Sequence, residues 1–305
     1  MNFYIHSILE IDKMNSMKQI IWIYHLLITI KFRLKRYFFP DISNRSDFRI
    51  LLFHEVDQFE TNRFETKIDE CAKSWTFVDP ANLELDKRKP NASTNRDLIL
   101  TFDDGYSSNF EIAQTVLNPR EIKAIFFVIP EFIESSIKDD SDQFIVEQMF
   151  PGKRESKIPK HLRSMTWDQI LLLSNQGHTI GSHSSSHRRL SELTSKDELN
   201  HQVINSRNVL EKIIGKEIEH FAFPFGNLKS ISPIALKIAL ENYKFVYSGL
   251  RGSNRALRSG SVLRRETVYP WDPKSFEAAV LAGANDSKFK KSLLVLDDWT
   301  KSLGI

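Results

Sequence analysis

The 305-residue sequence contains a single cysteine, Cys71, which excludes an internal disulfide framework and leaves the compartment unreadable from thiol usage. No partner motif surrounds Cys71, so it reads as a packing residue. Excess charge is scarce too: the formal net charge of +3 is too small to single out nucleic acid as a partner. Long apolar runs are missing. The longest, Gln19 to Ile30, is short of the roughly 20 residues that span a bilayer. No small-residue cleavage site follows it, which argues against a cleaved signal peptide. Internal repeats and low-complexity tracts are absent, and no histidine follows His220.

What is present describes an ordinary folded chain. Hydrophobic content of 41% with 27% charged residues supplies a real core, enough for one large α/β domain or two small ones. The apolar run at 19–30 leads into a basic one containing Lys31, Arg33, Lys35 and Arg36. Three readings fit: a helix packed on the domain, a helix lying in a membrane interface, or an uncleaved anchor. Basic residues beside an apolar helix suit an anionic membrane surface, which makes residues 14–39 a peripheral membrane contact.

The chain is organised around Asp97–Tyr106, DLILTFDDGY. Its first half is a β-branched apolar run, the pattern of a strand buried on both faces. Two adjacent carboxylates, Asp103 and Asp104, then end a buried strand, where their repulsion and desolvation need an offset. A cation supplies one, although Asp-Gly is also a common turn dipeptide. A helix from about Asn109 to Leu117 and a strand at 123–129 follow, a βαβ unit that implies a parallel sheet. Phe48–Phe53 is an earlier strand and delivers His54. Pieces of helix or strand are expected around Phe64–Cys71 and Thr76–Val78, with a loop at 85–96 and a polar excursion at 131–163. Thr166 caps a helix to Asn175, and a short strand at 178–180 releases GSHSSSH, in which His183 and His187 are four apart. That spacing places both on one side of a helical turn, and imidazole is a frequent metal ligand. Loops after parallel strands are where sites assemble in α/β folds, and one Asp with two His leaves coordination positions open. A helix from Ser195 to Ile214, strands at 220–223, 244–247 and 262–268, and helices at 233–240 and 275–282 continue the alternation, with a tail from residue 288.

Four segments in this order, TFDDGY (101–106), KAIFFV (123–128), MTWDQILLLSNQGHTIGSHSSSHRRLSEL (165–193) and FAFPFG (221–226), resemble the polysaccharide deacetylase family of metal-dependent carbohydrate esterases. The resemblance runs from about Ile50 to Tyr269. It implies a distorted α/β barrel of about seven parallel strands, with a catalytic domain at 41–287 between an N-terminal segment, 1–40, and a tail, 288–305. It implies removal of N-acetyl groups, with O-acetyl also open, from a glycan or lipid-linked saccharide. Asp103 would be the base, Asp104, His183 and His187 would hold a divalent metal, usually zinc, and the Pro224–Phe225 turn would supply a backbone N–H for the oxyanion. The expected placement is cytoplasmic or peripheral on the cytoplasmic membrane, with an anchored extracytoplasmic form as the alternative.

Two positions depart from the family pattern. The third motif's arginine is Ala222 here, and the family's late histidine acid has no counterpart. LLFHEV (51–56) is similar to the N-terminal motif of a permuted subgroup, exopolysaccharide poly-N-acetylglucosamine deacetylases, which makes His54 the general acid. Arg264 or Arg265 would replace the missing arginine. These departures also leave room for a catalytically weak carbohydrate-binding relative, and the segment at 14–39 for a third reading, a membrane-surface scaffold.

Overall fold

In a computed structural model of the chain, the described residues are 23–34, 37, 47–86, 96–151 and 162–304. Most of the expected loop at 85–96, part of the 131–163 excursion and much of the 1–40 segment therefore lie outside the described residues.

A helix at 23–34, α1, comes first. The order is then β1 (Asp47–Phe53), α2 (Thr61–Ala72), β2 (Thr76–Phe77), β3 (Arg96–Phe102), α3 (Ser107–Ile112), β4 (Ala124–Val128), α4 (Pro130–Ile137), α5 (Ser141–Phe144), α6 (Trp167–Asn175) and β5 (Thr179–Ser182). After these come α7 (Lys196–Asn200), α8 (Ser206–Ile214), β6 (His220–Ala222), α9 (Pro233–Asn242), β7 (Phe245–Tyr247), β8 (Val262–Leu263), β9 (Glu266–Thr267), α10 (Lys274–Leu281) and α11 (Asp286–Ser302). All paired strands are parallel, in the order β8-β7-β6-β5-β4-β3-β1-β9, with β2 beside the start of β3.

The two ends of that order are one piece of chain. Only Arg264 and Arg265 separate β8, which pairs with β7, from β9, which pairs with β1. The run 262–267 thus meets both edges of the curled sheet, and seven staves result when β8 and β9 are counted together. The expected single strand at 262–268 is broken at the two arginines.

Alternation along the strands sorts side chains into two cores. Phe48, Ile50, Ile99, Ile125, Phe127, Ala222, Phe245, Tyr247 and Leu263 fill the barrel interior. Their neighbours Leu51, Phe53, Leu98, Leu100, Phe102, Phe126 and Val128 face outward against the helices. This is why the strands read as continuous apolar runs: both faces are covered.

Two expectations about helices need correction. The excursion at 131–163 is not simply polar: α4, α5 and a following π-turn at Ile145–Met149 carry Phe132, Ile145 and Met149 onto Tyr106 and Leu162. The helix expected over 195–214 is α7 and α8 joined by a π-turn at His201–Asn205, capped by the Ser195 hydroxyl and closed by Gly215 in the left-handed region.

Candidate metal and catalytic centre

β3 points Thr101 and Asp103 into the barrel, and the Asp103 N–H extends the ladder by bonding the Phe53 carbonyl at 2.9 Å. That bond sets the end of β1, and so His54, beside the two carboxylates. Across the interior, Arg265 grips Asp103 with both arms. Its Nη1 donates to Asp103 Oδ1 at 2.6 Å and its Nη2 to Oδ2 at 3.0 Å, a charge-assisted fork. Arg265 is fully buried; its Nε donates to the Ser248 carbonyl at 2.9 Å, and its guanidinium lies 5.2 Å from the Phe127 ring centroid. Burial alone would push the Asp103 carboxyl up, but Arg265 and His183 outweigh it and hold the group below the ordinary carboxylate value.

Asp104 stands in a different environment. Its φ is +73°, in the left-handed region. Oδ1 is buried, has no hydrogen-bond partner among the described residues, and lies 3.4 Å from both His183 Nε2 and His187 Nε2. One ligand atom from each of the three residues falls within 4.8 Å of the others. Both imidazoles are oriented from behind. His183 Nδ1 is 2.8 Å from the Ala222 carbonyl, and His187 Nδ1 is 3.2 Å from the Gln148 carbonyl. A carbonyl only accepts, so each Nδ1 carries the proton and each neutral ring turns a bare Nε2 lone pair toward Asp104. Burial pushes both histidines down to about 4 and pushes Asp104 up. Three ligand atoms then converge, an arrangement that a divalent cation satisfies by offsetting the burial of the Asp104 charge.

The histidines do not meet through helical spacing as expected, because residues 183–189 form an irregular loop. Ser184 and His187 both have positive φ, +65° and +59°, and the His187 N–H bonds the Ser184 hydroxyl at 3.0 Å. Gln202 bridges the same loop, its side-chain oxygen accepting from the Ser186 N–H at 3.1 Å and its amide donating to the Ser186 hydroxyl at 2.9 Å.

Around this centre the remaining candidates separate. His54 is exposed and follows Phe53, whose carbonyl accepts from the Asp103 N–H. Phe225, after buried Pro224, has φ +61° and sits against His187 with ring centroids 4.7 Å apart, while Arg189 covers it at 4.3 Å. The next residue, Gly226, has φ +62°, and a Cβ there would lie 2.5 Å from Gly249 N, so only glycine fits this turn. Arg264 is not at the site. It follows the outward phase of its strand and donates to Asp297 on α11 at 2.9 Å.

Residues 91–241 match the sequence profile described as polysaccharide deacetylase. The chain belongs to the polysaccharide deacetylase family. YxkH of Bacillus subtilis (strain 168), assigned by name to the polysaccharide deacetylases, is 21% identical over 183 residues, which are 58% of this chain and 56% of that protein. The match thus spans a little over half of that curated relative. Among solved structures, Streptococcus pyogenes deacetylase PplD in complex with acetate is 18% identical with a TM-score of 0.58, covering 78% of this chain and 99% of its own. IcaB from Ammonifex degensii is 20% identical at TM-score 0.58, covering 78% and 98%. A de-N-acetylase from Aggregatibacter actinomycetemcomitans is 15% identical at TM-score 0.58, covering 77% and 100%. These likenesses carry the fold.

Against the polysaccharide deacetylase pattern, Ala222 loses its oddity. Its small side chain lines the barrel interior, the space into which Arg265 reaches from the far stave, and its carbonyl holds His183. The choice between the two arginines was open to strand phase: Leu263 faces inward, so Arg265 does too and Arg264 does not. Tyr106 was not anticipated. It is buried, its hydroxyl donates to Met149 Sδ at 3.8 Å, and no sequence signal beyond its place in TFDDGY marks it.

Proposed function

We propose that the protein is a metal-dependent hydrolase removing N-acetyl groups from a glycan or glycan precursor. The observation that carries this reading is the convergence of Asp104 Oδ1, His183 Nε2 and His187 Nε2 beside a carboxylate that Arg265 holds charged. Asp104, His183 and His187 would hold the cation, and a set of one carboxylate and two imidazoles suits Zn²⁺. When bound, such a cation supplies Lewis acidity, lowering the pKa of a water and polarising an acyl carbonyl.

The chain's own groups do the rest. Asp103 is the base. A carboxylate has about four lone-pair sites, so two accept from Arg265 and the others remain for the proton of an attacking water. Oδ2, 3.7 Å from His183 Nε2, is the oxygen nearer the cluster. As the C–O bond forms, the backbone N–H of Phe225 donates to the oxygen that gains charge. The C–N bond then breaks, acetate leaves, and His54 gives the departing nitrogen its proton, since an amine anion is too poor a leaving group. Arg265 is a positioning residue: it touches Asp103, not the substrate.

A carbohydrate-binding role without turnover is motivated by Ala222 and by the permuted acid; the Arg265 fork answers the first motive, and acetate release tests the second. The test is acetate release from N-acetylglucosamine oligomers with and without chelator. Chelator-sensitive release supports the proposal. Binding of those oligomers with no acetate from N- or O-acetylated glycans contradicts it.

A further inference from the structure

Helix α1 has two apolar faces and needs only one of them to fold. Tyr24, Ile28 and Phe32, at i, i+4 and i+8, pack on Phe276, Ala279, Val280 and Ala284. That face is well fixed: His25 stacks on Phe276 with centroids 4.0 Å apart, and Asn285 Nδ2 donates to the Tyr24 hydroxyl at 2.7 Å. With about 100° of turn per residue, Ile23, Leu26, Leu27, Ile30 and Leu34 form a stripe on the opposite side. They are 49, 41, 60, 44 and 55% exposed. A helix that only packed on its domain would present polar residues there.

The same projection puts exposed Lys31 on one border of the stripe and exposed Arg33 on the other. Residues 23–34 include no acid. Lys288 from α11 adds a cation on the Lys31 side, its Nζ 5.2 Å from the Tyr24 ring centroid. An apolar stripe bordered on both sides by cations matches a lipid surface with anionic headgroups, where acyl chains take the stripe and phosphates meet the borders.

We propose that α1 seats the protein on an anionic lipid surface, lying in the headgroup plane. The described part of α1 is about 18 Å long at 1.5 Å per residue, and no described helix is long and apolar enough to cross a membrane. A second copy of the chain is the weaker occupant, because a two-fold contact through this stripe sets cationic borders against cationic borders.

The test is flotation of the full chain with vesicles of phosphatidylcholine alone or of equal parts phosphatidylcholine and phosphatidylglycerol, with light scattering of the vesicle-free protein. The chain should float with the anionic vesicles, and raising salt to about 0.5 M should weaken this. Leu27→Ser with Ile30→Ser, and separately Lys31→Glu with Arg33→Glu, should each cut partitioning by about tenfold or more. Unfolding temperature and turnover of a soluble substrate should not change, since these side chains are exposed and outside the centre. Flotation with neither vesicle type, flotation untouched by the Leu27/Ile30 change, or a vesicle-free dimer that this change dissociates would each overturn the proposal. None of these three overturning results depends on deacetylase activity.

Discussion

Arg265 and Asp103 form a buried two-armed ion pair, 2.6 and 3.0 Å, between the stave that closes the barrel and the end of β3. The pair links fold to chemistry. Breaking one partner leaves an uncompensated buried charge, and the same bond aims the carboxylate beside Asp104, His183 and His187.

Replacing Arg265 therefore has a distinctive consequence. Arg265→Ala should lower kcat by about a hundredfold or more, and Arg265→Lys should recover little because a point charge cannot reproduce the fork. Restoring an arginine from the other side, as Ala222→Arg in the Arg265→Ala background, should recover part of kcat. The space for it is what Arg265 vacates. Equal activity of Arg265→Ala and the parent in steady-state assays would show that Asp103 needs no partner.

His54 is expected to act on the leaving group alone. His54→Gln should reduce kcat by about 10²- to 10⁴-fold while metal content stays that of the parent. Metal loss in this variant, measured by elemental analysis, would move His54 into the ligand set.

Much of this centre was legible in the residues. The run into Asp103 and Asp104, the alternation of strands with helices, and the two histidines after β5 all carry patterns set by local chemistry. What brings His183 and His187 together was not, because it depends on Ser184 and His187 adopting positive φ, a conformation their residue types do not announce. Arg265 was half legible: strand phase separates it from Arg264, but its reach to Asp103 exists only once the sheet curls. The fold of 131–151 was obscured because Phe132, Ile145 and Met149 are spread among polar residues and find their partner, Tyr106, in another segment.

The Phe225 turn gives a steric prediction. Gly226→Ala adds a Cβ 2.5 Å from Gly249 N at a positive φ. It should displace the Phe225 N–H, lowering kcat by about tenfold or more, with a stability loss of about 1–3 kcal/mol. Unchanged kcat with lowered stability in denaturant titrations would separate this turn from the oxyanion role.

Away from the centre, His178 predicts a pH dependence of stability. It accepts from the Ala124 N–H at Nδ1, 3.3 Å, and meets Asn118 Oδ1 at Nε2, 3.0 Å, so it is built in as the neutral ring. Burial, with Lys123 nearby, lowers its pKa from 6.5 to about 4. The unfolded chain thus binds this proton more readily. The stabilisation is complete above pH 6.5 and is lost as pH falls toward 4, by roughly 2 kcal/mol between pH 7.5 and 5. Urea unfolding at those two pH values should show a smaller difference in His178→Gln; an identical difference would contradict the assignment.

The most direct measurement is metal content and acetate release on the same preparations of the parent, Asp103→Asn and Asp104→Asn. We expect a bound divalent metal and acetate release in the parent, metal retained with release abolished in Asp103→Asn, and both lost in Asp104→Asn. Asp104→Asn keeping metal and activity would contradict the ligand assignment on which the account rests.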